Sequence, residues 1–145
     1  MAVKELYDRD FFQWTVRNAE LLRSGRLDEA DLPHIAEELE DIGKREQREL
    51  ESRLIVLLAH LLKWRVQPGR RGASWMGTIK IQRDEIASLL KEMPSLRNAM
   101  VRNLPEAYLR AVLRAAVQTG LAESTFPETC PFRLEQVLDR EFFPG

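Results

Sequence analysis

Side chains able to hold metals or move protons crowd one short stretch of this chain: His34, Glu37, Glu38 and Asp41, with Glu40 among them. His34 and Glu38 are four apart, as are Glu37 and Asp41, so each pair shares a helix face. Carboxylate and imidazole pairs of this kind hold iron, manganese or zinc between the helices of a bundle. The Glu-x-x-His pairs that mark di-iron bundles are absent. A solvated acidic face, neutralised by Lys44 and Arg45, explains the same residues without a metal. No cofactor is expected.

The second histidine, His60, sits in Leu-Ala-His-Leu-Leu, with Arg53 seven residues before it on the same face. Helical ribonucleases of the higher-eukaryote-and-prokaryote nucleotide-binding type carry an Arg followed by four to six residues and a His. Arg53 and His60 resemble that pair at its longest spacing. Acid–base cleavage of nucleic acid is therefore one enzymatic reading, and metal-dependent hydrolysis by the Glu37–Asp41 carboxylates is another. With 17 Arg in 145 residues, such a spacing also arises readily by chance. The plainer reading is a structural histidine, hydrogen-bonded at the core's edge.

Charge is segregated along the chain. Residues 1–51 hold 14 acids and 8 bases, whereas 52–83 hold seven bases and no acid. Trp64, Arg65, Arg70, Arg71, Trp75, Lys80 and Arg83 mix guanidinium forks with rings that could stack on bases. They form the candidate binding surface, for a polyanion such as nucleic acid or for another protein. The competing reading is an internal match, with the basic segment folded against the acidic first third. Gly69 and Gly72 flank Arg70 and Arg71, but no Walker loop is present. Cys130, before Pro131, is a nucleophile only if a helix N-terminus lowers its pKa. A structural thiol is the ordinary reading. Phe11, Phe12, Trp14, Phe142 and Phe143 either tie the chain ends down or offer a partner an aromatic patch.

Helices must position all of these groups. Phe12, Val16, Ala19 and Leu22 form an apolar stripe over 8–23, with Asp8 as N-cap and Gly25 as C′ residue. Leu32, Ile35, Ala36, Leu39 and Ile42 make the next, and Leu50, Leu54, Leu57, Leu58, Leu61 and Leu62 continue it. One long helix over about 31–66 is expected, bent or broken near Gly43. Opposite charges four apart, such as Glu49 and Arg53, carry it across the apolar-free 44–49. Ser74 is the expected cap of a helix bearing Trp75, Ile79, Ile86, Leu89, Leu90 and Met93. Pro105 should kink or restart the next helix, which Gly120 ends. A short helix over 132–139 closes the chain. The expectation is an all-α, single-domain bundle of five or six helices covering 1–145. An uncovered apolar end on the long helix would favour a homo-oligomer.

Five blocks then fall into a recognisable order. They are Tyr7–Trp14, Ile35–Gly43, Leu57–Trp64, Ser74-Trp75 with Ile79, Gln82 and Arg83, and Phe126–Pro131. Together they resemble a bacterial family described only as domain of unknown function 29, over about residues 6–144. The resemblance implies a small, helical, stand-alone bacterial protein and no particular reaction. One cysteine fits a reducing compartment. No apolar run approaches the ~20 residues of a membrane span, and Met1–Leu6 lacks a signal-peptide pattern. The expected protein is cytoplasmic and works by binding rather than catalysis.

Overall fold

A computed structural model describes residues 1–145. The chain is all-helical: α1 (Val3–Arg9), α2 (Phe11–Arg23), α3 (Leu32–Val66), α4 (Ala73–Glu92), α5 (Leu96–Thr119) and α6 (Leu134–Leu138). Single 3-10 turns lie at Pro68–Arg70 and Glu123–Thr125. The chain forms two compact units, Met1–Arg45 and Glu46–Gly145.

In the first unit Asp10, not Asp8, separates and caps the opening helices. Its carboxylate accepts the Gln13 N–H at 3.1 Å, and its own N–H closes α1 on Leu6. Gly25 ends α2 with φ 73°, a conformation costly for other residues. The buried face of α2 is Trp14, Asn18 and Leu21, rotated from the expected stripe. Phe12, for example, is 66% exposed. The rotation follows Trp14, whose indole N–H can be buried only because Asp31 accepts it. Val3, Leu6, Trp14, Leu21 and Ala30 form this unit's small core, with Tyr7 and Ile35 against it.

The second unit holds the main core. From Leu50 onward α3 presents the expected leucines to Ile79, Ile86 and Leu89 of α4 and to Met100, Ala107, Tyr108, Ala111 and Ala115 of α5. Neither of the two expected weak points breaks its helix. α3 runs through Gly43, because about 1 kcal/mol of lost propensity does not break a helix propagated from both sides. α5 runs through Pro105. The ring costs the Val101 carbonyl its helical donor, but Val101 and Pro105 are both exposed, so solvent can take that donor's place. Gly72 takes the N-cap position of α4 instead of Ser74. The last helix is shorter than expected, starting at Leu134 behind Arg133, whose N–H donates to the Gln136 side chain at 2.9 Å.

Candidate functional site

The first unit carries an open apolar groove of about 390 Å³. Its walls are Phe11, Thr15, Ala19 and Leu22 of α2 and Ile35, Leu39 and Ile42 of α3. Leu32, Ile35, Leu39 and Ile42 repeat at spacings of three, four and three, the seam of a helix meant to lie against another. Yet α3 buries no side chain before Leu50, and Leu39 is 64% exposed. Glu38 lines the groove and Arg45 closes one end. Glu37, Glu40 and Asp41 add negative charge beside Glu38.

A tight polar network fixes the floor. Asp31 is 1% exposed. Its Oδ2 accepts the Trp14 indole N–H at 3.0 Å and bonds His34 Nδ1 at 2.6 Å. Its backbone N–H donates to Asn18 Oδ1, and Asn18 Nδ2 donates to the Trp14 carbonyl, both at 2.9 Å. Burial alone would push the Asp31 carboxyl up, but the Trp14 and His34 contacts outweigh it and hold the carboxyl below its usual range. The Tyr7 ring stacks on His34 at 3.9 Å and donates its hydroxyl to Glu38 at 2.6 Å. That bond, reinforced by burial and the acidic neighbours, pushes the phenol up to about 12. Phe11 and Trp14 surround Tyr7.

This network explains why His34, Glu37, Glu38 and Asp41 do not assemble as metal ligands. No group of three or more His, Cys, Asp or Glu side chains is arranged to hold a metal ion. His34 Nδ1 is committed to Asp31, and one Glu38 oxygen to Tyr7. The acidic run instead forms the rim of an apolar surface.

Residues 6–143 match the family described as "Domain of unknown function DUF29". The chain belongs to this family. No curated protein and no solved structure matches it.

The second unit separates the residues that the sequence groups around the basic segment of this DUF29 chain. Arg65, Arg70 and Lys80 are exposed. Trp64 is buried in the core, with Phe143 against its ring. Arg71 packs over Trp64 and donates to the Trp64 carbonyl at 2.7 Å and to the Pro144 and Gly145 carbonyls. Arg83, 2% exposed, sits on the core face of α4 between Ile79 and Ile86. Its fork donates to the carbonyls of Val137 (2.8 Å), Gln136 (3.3 Å) and Arg140 (3.5 Å), and it lies over Phe143. These two arginines therefore tie down the C-terminal segment. Their partners are carbonyls and rings in place of the expected carboxylates, because a guanidinium fork suits convergent carbonyls as well as anions.

Arg53 and His60 do not converge. Arg53 donates to Glu49 and Gln82 and lies 3.9 Å from Glu85. His60 Nδ1 bonds the Val56 carbonyl at 2.8 Å, and its Nε2 lies 3.5 Å from Lys63 Nζ. Burial, with help from Lys63 and Arg114, pushes the imidazole down. Lys63 is itself buried, donating to Gln118 at 2.7 Å beneath Trp75. Burial and the Arg114 charge push its amine down. Cys130 does not cap a helix, since α6 begins four residues later. Its thiol donates to the Phe132 carbonyl at 3.4 Å, and burial pushes it up, away from thiolate chemistry.

Two features escape the sequence reading. Asp31 is the hub of the first unit, but Asp-Leu-Pro reads as an ordinary helix entry. Arg83 had a visible signal: it stands four after Ile79 and three before Ile86, on the same stripe.

Proposed function

We propose that this chain is a binding module of the bacterial cytoplasm, whose docking surface is the α2–α3 groove and whose partner presents an apolar, basic helix face. One observation carries the reading. Leu32, Leu39 and Ile42 are exposed along a helical seam, on a frame locked by the Trp14–Asp31–His34 contacts. A rigid apolar groove favours helix-in-groove recognition, because little ordering is left for binding to impose. Glu38, with Glu37, Glu40 and Asp41, selects for positive charge on the partner. The free thiol of Cys130 suits a reducing compartment. No helix is long and apolar enough to cross a membrane.

The test uses two labelled synthetic peptides with the same leucine seam, one filled with lysine and the other with glutamate. Fluorescence polarisation should show the Leu/Lys peptide binding and the Leu/Glu peptide not binding. Salt should weaken the complex. Leu39→Asp, at an exposed position, should abolish binding without unfolding the chain. Equal binding of both peptides, or no effect of Leu39→Asp, would overturn the proposal.

A further inference from the structure

We infer that the partner for the groove is a second copy of this chain, docked through the outer face of α5. This rests on the groove reading and names its occupant. Along α5 the sequence alternates two buried and two exposed residues. The exposed pairs include Val101-Arg102, Leu109-Arg110, Leu113-Arg114 and Val117-Gln118. Val101, Leu109 and Leu113 are half exposed or more, and Val117 is 84% exposed. Apolar residues on a helix with nothing over them need a cover, as the groove does.

The two faces fit in composition, length and charge. Leu109 to Val117 spans about 12 Å of helix, and Ile35 to Ile42 about 10 Å. α5 carries Arg97, Arg102, Arg110 and Arg114 against one acid, Glu106, which already bonds Arg110 at 3.0 Å. The groove offers Glu38, flanked by Glu37, Glu40 and Asp41. The polarity also matches end to end. Arg45 closes one end of the groove, and the α5 face ends in uncharged Val117, Gln118 and Thr119. The arginine-bearing turns then lie toward Glu38 and Asp41, with the bases of α5 kept away from Arg45. Each copy owns one groove and one α5 face. The contact is heterologous: the groove of one copy takes the α5 face of another.

Sedimentation of the full-length chain from about 1 to about 100 μM, the range of modest affinities, tests this. The wild type should associate reversibly, and more weakly as salt rises. Leu39→Asp spoils the groove and Leu113→Asp spoils the α5 face. Each alone should weaken association at least tenfold, with helix content unchanged by circular dichroism. Mixing the two variants should restore a heterodimer, because one supplies an intact groove and the other an intact α5 face. A wild type that stays monomeric overturns the inference, as does association that neither variant weakens. Failure of the mixture to recover also overturns it, because a groove-to-groove pair cannot be complemented. The Leu/Lys peptide assay is independent: a monomeric wild type that binds that peptide leaves the groove reading standing and removes only the second copy.

Discussion

Replacing Asp31 by alanine strikes the group on which the first unit depends most. The carboxylate accepts from Trp14 and His34 through one oxygen, while its other oxygen, Oδ1, is buried without a partner. Its loss removes a charge-assisted bond and leaves the Trp14 N–H buried and unpaired, at about 1–3 kcal/mol for each effect. Recovering the cost of burying a half-satisfied carboxylate offsets part of that. The net expectation is a loss of about 3 kcal/mol, large for a unit whose core is five buried apolar residues. Asp31→Asn keeps a neutral acceptor for both Trp14 and His34 at the Oδ2 position and loses only the charge, so it should lose only about 1 kcal/mol. Urea unfolding followed by near-ultraviolet circular dichroism measures both, and hydrogen exchange on α1 and α2 locates the damage. The pH dependence adds a signed check. A carboxyl held below its ordinary value of 3.8 contributes stability that is present above that pH and lost as pH falls through the folded-state pKa. Acid destabilisation below about pH 4 should therefore be shallower in Asp31→Asn than in the wild type. An alanine variant within about 0.5 kcal/mol of wild type, or two variants equally damaged, would refute the network as the unit's keystone.

Arg83→Lys keeps the charge but loses the fork to Gln136, Val137 and Arg140. It should lose about 2–3 kcal/mol and open the segment after Phe132 to limited proteolysis. Lys63→Met should raise stability at pH 7 by about 1 kcal/mol, since a buried ammonium without a carboxylate is a cost. Because the folded-state pKa of Lys63 is lowered, that cost falls as pH rises through it, so the advantage should shrink toward pH 10 in thermal melts. Cys130 should react with iodoacetamide at neutral pH more slowly than free cysteine. A faster rate would overturn its structural role.

The helices were legible because their signals are local. The 3.6-residue periodicity placed α3 and the Leu50–Leu62 core face, and Gly25 and Gly120 marked helix ends through the left-handed conformation that both adopt. Gly43 and Pro105 carry real local penalties, but cooperative hydrogen bonding and an exposed carbonyl absorb them. The acidic run 37–41 was legible as charge, not as the rim of a groove, because exposure is not a property of spacing. Leu39 and Ile42 stand three apart, as Leu58 and Leu61 do, yet the first pair is exposed and the second buried.

Composition and periodicity by themselves determined an all-helical chain with one long helix and no membrane-spanning helix. Tertiary structure alone decided which polar groups work inward. Asp31 meets Trp14 across 17 residues, and Arg83 meets Val137 across 54. Such contacts depend on where buried donors find acceptors after the helices pack. Hydrogen bonds impose that requirement on the folded state; periodicity can place Arg83 on a buried stripe but cannot name the acceptors that it meets.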